Sequence, residues 1–178
     1  MPSDIGSLYL DEIFRGLRGH KRLADEAIAQ LSDEQFFALP DLESNSVAII
    51  VKHMAGNLRS RFTDFLASDG EKPDRNRDQE FIVEAQSTRD DILRAWEQQW
   101  QVVFDTVRSL QPGDLERTVT IRGQPHSVVQ ALQRAAGHLA YHTGQIVQLS
   151  RYLAKDKWTT LTIPRGGTKE FNEKMGYR

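Results

Sequence analysis

The sequence predicts an all-α protein, a four-helix bundle with short extended segments near 118–121 and 160–163. Three observations carry this. Four long stretches repeat apolar residues at three- and four-residue steps, the template of an amphipathic helix. The breaks between them hold capping and turn residues. The 178 residues, 39% hydrophobic and 27% charged, suit a single globular domain spanning 1–178.

The first helix is expected at roughly 4–31. Leu8, Leu10, Ile13, Phe14, Leu17, Ala24, Ile28 and Leu31 carry its repeat, and Leu39-Pro40 closes a connecting segment after it. The second begins near Ser44–Ser46, where "ESNS" offers caps. Its stripe is Val47, Val51, Met54, Leu58, Phe62 and Phe65. The following "SDGEKPDRNRD", 68–78, is rich in Gly, Pro and charge and reads as the mobile segment, and the mixed charges near 71–80 read as a solvated loop.

The third helix starts near "STRDD", where Ser87 and Asp90 stand at capping-box spacing. It runs through Ile92, Leu93, Trp96, Trp100, Val103, Phe104, Val107 and Leu110, and "QPGD" stops it. Trp96 and Trp100 are expected in the core. Thr118 to Ile121 is β-branched throughout, and Arg122-Gly123 reads as a turn. Thr160 to Ile163 is expected to pair with 118–121 as a second strand. The fourth helix opens on a Ser127–Gln130 capping box and ends at about Ala154.

Several function classes are disfavoured. A formal net charge of -2 without a long Lys/Arg run argues against nucleic acid as a partner. The longest aliphatic run, Val47–Val51, falls far short of the roughly 18 residues of a membrane span. The start, MPSDIGSLYLDEIF, has no basic segment followed by an apolar core, so no signal peptide is expected and the location is expected to be cytoplasmic. Cysteine is absent, which removes disulfides, thiolate ligands and a Cys nucleophile. No GxGxxG, GxxxxGK[ST] or nucleophile-elbow sequence occurs.

Chemistry concentrates in the histidines. On the fourth helix, at about 100° per residue, His142 lies about 60° and His138 about 100° from Leu139, on the same edge of the apolar stripe. Residues at i and i+4 bring their Cβ atoms to within about 5–6 Å. Two imidazoles so placed can converge on one ion at about 2.0–2.1 Å. His53 flanks the second helix's stripe in the same way, so a third imidazole can join if the two helices are neighbours. Three neutral imidazoles leave a position open, as catalytic metal sites do. Helix-flank histidines also occur as half-buried polar residues bonded to a carbonyl, and spacing alone does not separate the two readings. His20 and His126 are read as structural.

Three segments then carry a family resemblance. "SNSVAIIVKHMAGNLRSRFTDFL" (44–66), "TVTIRGQPHSVVQALQRAAGHLAYHTGQIVQL" (118–149) and "WTTLTIPRGGT" (158–168) resemble the DinB-like superfamily. They look most like a subgroup of small bacterial proteins that end in a Trp…Ile-Pro-Arg-Gly tail. The resemblance implies a DinB-type four-helix bundle. It also implies a divalent metal, commonly nickel or zinc, on one His of the second helix and the paired histidines of the fourth: here His53, His138 and His142. Relatives include S-transferases that use bacillithiol or mycothiol, and a thiol-dependent maleylpyruvate isomerase. Such bundles are often homodimers, and an exposed Trp-bearing face would suit that contact.

The function expected first is therefore a metal-dependent S-transferase acting on a small-molecule substrate with a bacterial thiol. A coordinated thiol is deprotonated, and Arg122, Arg134 and Arg165 would help bind anionic parts of the thiol. Gln145, one turn beyond His142 on the histidine edge, is expected to orient a ligand or substrate, and Tyr141 to pack. A metal-dependent hydrolase is the alternative, weakened because Asp and Glu look sparse around the triad. A non-enzymatic metal- or ligand-binding bundle is the third reading.

Overall fold

The computed structural model describes residues 4–177. Six α-helices and one β-hairpin form among them. Helix α1, Ile5–Ile28, begins where the Asp4 carboxylate accepts the backbone N–H groups of Gly6 at 2.8 Å and Ser7 at 3.1 Å. It ends three residues before the expected limit. A short helix, α2 (Asp33–Phe37), follows at once on a Ser32–Gln35 capping box. The sequence carries that box in plain view, but five residues are too few for an apolar period to register. Phe36 of α2 is fully buried, so this turn closes one end of the core.

Helix α3, Val47–Phe62, starts on Ser46, whose hydroxyl accepts the Ile49 N–H. Helix α4, Arg89–Ser109, is capped by Thr88 rather than Ser87: the Thr88 hydroxyl accepts the Asp91 N–H at 3.2 Å and donates to the Asp91 carboxylate at 2.7 Å. The two registers differ by one residue and only the geometry selects between them. Helix α5, Val128–Ala154, opens on the expected Ser127–Gln130 box. A seven-residue helix, α6 (Thr168–Lys174), lies in the tail.

The long helices pack α1 on α5, α5 on α3, α3 on α4 and α4 on α1. Leu17, Met54, Leu58, Trp96, Trp100, Leu132, Leu139 and Ile146 meet between them, each almost completely buried. Burying a large aliphatic side chain contributes about 1.5–3 kcal/mol, so this shared interior holds the four helices in place. Trp96 also donates from Nε1 to Asp25 at 2.8 Å. Trp96 and Trp100 are core residues, and Trp158 is half-buried. Of the three indoles, only that of Trp158 reaches the surface.

Strand β1, Thr118–Ile121, does not pair with 160–163. It pairs antiparallel with the next four residues, β2 (Gln124–Ser127), with Ile121 opposite Gln124. The turn between them is Arg122-Gly123, with φ of 55° and 71°, the left-handed pair of a type I′ hairpin. A two-residue turn closes a hairpin at far less entropy than bringing in a segment some forty residues away. β2 reads "QPHS", with no apolar alternation, so its strand character comes from the turn and not from its own residues. Thr160–Ile163 has no regular structure; Gln30 holds this end of the tail through both backbone groups of Thr159.

The 68–78 connection is not a free solvated loop. Gly70 N–H donates to Thr120 O at 2.8 Å, and Ser60 donates to Gly70 O. Asp69 accepts the backbone N–H groups of Glu71, Arg122 and Gly123. These backbone donors hold the Asp69 carboxyl well below its ordinary value of 3.8. A lowered carboxylate stabilises the fold above its ordinary value and loses that contribution as pH falls below it. Asp69→Asn is therefore expected to cost about 1–2 kcal/mol at pH 7. The difference from the wild type should narrow in thermal melts taken from pH 7 toward pH 3. A gap that stays constant would show that the charge has no part in it.

Candidate metal centre

Helix α3 supplies His53 and α5 supplies His138 and His142. Because α3 packs on α5, the flank positions of both stripes meet in one cleft. The ring centroids lie 5.4 Å apart for His53–His138, 5.0 Å for His53–His142 and 4.5 Å for His138–His142. One nitrogen from each ring lies within 4.8 Å of the other two. His53 is buried and the α5 pair is half-buried.

The outer nitrogens define the inner ones. His53 Nδ1 lies 2.8 Å from Glu80 Oε2, and His142 Nδ1 lies 2.7 Å from Gln145 Oε1. An ionised carboxylate and an amide oxygen only accept, so both Nδ1 atoms carry the hydrogen. In a neutral ring so bonded, Nε2 is the atom that carries the lone pair. His142 Nε2 and His138 Nε2 stand 3.1 Å apart. Bonds of about 2.0–2.1 Å to a single ion place neighbouring ligand nitrogens about 2.9–3.4 Å apart, so this spacing fits a shared cation. The three-histidine group can hold a metal ion.

The electrostatics agree. Burial, then the neighbouring His142 and His53, then the Arg61 and Arg75 cations push the His138 pKa down to about 4. Burial also lowers His142, against the opposing hydrogen bond to Gln145. Both rings are neutral at pH 7, the form that ligates.

The carboxylate behind His53 is the part that the linear reading missed. Glu80 sits on a one-turn 3-10 helix, Asp78–Phe81, at the end of the 71–80 stretch that reads as solvated charge. Its oxygens accept from His53 and from Arg75, whose Nε lies 2.7 Å from Oε1 and whose Nη2 lies 2.9 Å from Oε2. The Arg75 side chain is 3% exposed and that of Glu80 9%. Burial favours the neutral acid, but the bonds from His53 and Arg75 outweigh it and hold Glu80 below the usual carboxylate range. Phe81, next in the chain, stacks on the His53 ring at 4.6 Å.

Space for Glu80 exists because residue 56 is glycine. A Cβ there would overlap Glu80 Oε1 and stand 2.6 Å from its Cδ. The carboxylate cannot move aside without leaving His53 or Arg75. Gly56→Ala should therefore destabilise by about 1–3 kcal/mol through overpacking, although helix propensity alone favours Ala by about 1 kcal/mol. A Gly56→Ala protein that melts higher than the wild type would contradict this packing.

The predicted polar residues divide. Arg122 and Arg134 line a cavity of about 350 Å³ that opens beside His53 and His138. Arg165 lies exposed in the tail and does not line it, because no strand forms at 160–163 to carry the tail back. Gln145 does not face the cavity; its Oε1 takes the His142 Nδ1 hydrogen and its Nε2 donates to the Tyr141 hydroxyl at 3.1 Å. Tyr141 is 63% exposed, and its ring packs edge-on against that of His142 at 5.0 Å. His126 Nδ1 meets the Gln124 carbonyl at 2.9 Å as a loop contact, and His20 is half-buried on α1.

Among the described residues no helix is long and apolar enough to cross a membrane. No curated protein matches the sequence. The model of one protein family, described as protein of unknown function (DUF1572), matches residues 4–167. That span takes in the three histidines, Glu80 and the hairpin, and the chain belongs to this family.

Proposed function

We propose that the chain is a four-helix bundle of the DinB type and a divalent-metal enzyme that transfers a low-molecular-weight thiol. His53, His138 and His142 are the metal ligands, and nickel or zinc suits a set of imidazoles. The observation that carries the reading is the convergence of three imidazole nitrogens, two of them fixed as acceptors by Glu80 and Gln145. Inward-facing ligands from facing helices are how bundles build such sites. Hydrogen-bonded partners behind each ligand orient the ring and raise its basicity.

When bound, the metal would hold a thiol as its thiolate. The chain's own residues do the rest. Glu80 and Phe81 keep the His53 ring in one plane, and Gln145 keeps His142 from turning. The cavity beside His53 and His138 admits a small molecule and is too small for a polymer.

Two observations favour transfer over the alternatives. A hydrolase needs a base within reach of the attacking water, and the carboxylate nearest the triad, Glu80, is committed to His53 and Arg75. A purely structural site would close on a fourth ligand, and the grouped ligands among the described residues are three.

The test begins with protein purified without a metal-binding tag. About one equivalent of nickel or zinc is expected, together with a thiol-dependent rate on an electrophile such as monochlorobimane that is lost on chelation. Bound metal with no rate for any bacterial thiol would overturn the transferase reading. Absence of bound metal after reconstitution would overturn the site itself.

A further inference from the structure

The cavity beside the triad is lined by five guanidinium groups from separate parts of the chain. Arg61 comes from α3, Arg75 and Arg77 from the connection after it, Arg122 from the hairpin turn and Arg134 from α5. Nearby carboxylates do not balance them. Glu80 is taken by Arg75 and His53. Glu71 is shared by Arg61 at 3.0 Å, Arg122 at 3.1 Å and Arg75 at 3.3 Å. Asp69 spends its oxygens on backbone N–H groups. Among the described residues Arg77 and Arg134 have no carboxylate within 4.0 Å; both are exposed, and Arg77 lies over the Phe81 ring. Arg122 keeps a side chain 56% exposed.

The placement of Arg122 is a second observation. It occupies the first left-handed position of the turn, φ 55°, where Asn, Asp or Gly is the conformational choice. The chain holds an arginine there against its backbone preference, with Asp69 clamping the N–H groups of Arg122 and Gly123 at 2.8 Å each. The Arg122 guanidinium meets Glu71 through Nε alone, at 3.1 Å, and its remaining donors face the cavity and solvent. Strain of this kind is kept where the side chain is used.

We infer that this cavity is an anion subsite. It binds a carboxylate or phosphate group of the substrate through Arg77, Arg122 and Arg134, and so presents the substrate's reacting part to His53 and His138. Guanidinium forks suit both oxyanions by paired hydrogen bonds. Arg61 and Arg75, tied to Glu71 and Glu80, keep the wall in place. The inference rests on the reading of the triad as a reactive centre, but the subsite can be tested apart from it.

The experiment is calorimetric titration at low salt of inorganic phosphate, of succinate, and of uncharged succinamide as a control. It uses the full chain and, separately, His138→Ala treated with chelator, so that no bound metal can attract the anion. Phosphate or succinate should bind both proteins, and succinamide neither. The tighter of the two anions tells whether the natural group is a phosphate or a carboxylate. Arg77→Gln with Arg134→Gln should weaken binding at least about tenfold. Arg122→Gly should weaken it as well while melting close to the wild type, since glycine suits the turn and offsets the loss of the exposed pair with Glu71; this separates lost recognition from lost folding. Equal affinity in wild type and variants would overturn the subsite, as would a failure of both anions to bind. Anion binding that persists in a chain unable to hold metal would support the subsite even if the metal reading failed.

Discussion

A Glu80→Ala protein is expected to be about 3–5 kcal/mol less stable than the wild type, the usual result of removing one partner from a buried ion pair. The reason lies with Arg75. Its side chain is 3% exposed and donates its two shortest hydrogen bonds to Glu80. Truncation leaves a cation inside the protein with only part of Glu71 to meet it. The same change removes the acceptor for His53 Nδ1 and frees the ring to rotate. Loss of such an outer partner typically weakens metal affinity about 10–100-fold. Denaturant unfolding of the metal-free protein reads the first effect, and competition with a chelator dye reads the second. Arg75→Met combined with Glu80→Leu separates them: it removes both charges, so stability should largely return while metal affinity stays low. If Glu80→Ala alone melts like the wild type, the buried network described above does not exist.

Removing an inner ligand should act on metal content more than on the bare fold. In His138→Ala, bound nickel or zinc is expected to fall from about one equivalent to below about a tenth. His138 is half-buried on the edge of α5, and its Nε2 lies 3.1 Å from that of His142. Two imidazoles remain, on different helices, and neither can chelate with a neighbour in its own turn. A metal present at about a thousand times its dissociation constant stabilises a fold by about 4 kcal/mol. Adding metal should therefore raise the melting temperature of the wild type and leave that of His138→Ala unchanged. An equal rise in both would place the metal elsewhere. Because burial already holds His138 and His142 in the neutral form, these two rings should release little proton on binding near pH 7.

The parts of the fold that were legible share a physical basis. Long apolar periods mark α1, α3, α4 and α5, since a stripe repeated over several turns has few other uses. The Ser127–Gln130 box is local and complete within four residues, so it reads from a line of text, and the cap of α3, Ser46, falls inside the Ser44–Ser46 cluster that the sequence offers. The Ser32–Gln35 box is equally local, but no apolar repeat follows it to mark a helix. Strand pairing was not legible. Thr160–Ile163 looks more like a strand than "QPHS" does, yet the two-residue turn decides the partner. In the site, His138 and His142 announce themselves by i,i+4 spacing, and His53 by its place on a stripe's flank.

What the sequence alone determined is which residues are chemically able to bind a cation and along which helical edges they lie. Periodicity is a property of a single segment, and ligand type is a property of a single residue. What only the tertiary structure decided is what stands behind and beside those residues. Glu80 reaches His53 across 27 positions of chain, through a charged stretch that composition reads as solvent-exposed. Gly56 leaves it room, Arg75 neutralises it, and the hairpin turn brings Arg122 to the same cavity. A buried charge is tolerable only when its partner is present, and a partner brought by packing leaves no mark on the spacing of the residues that it serves.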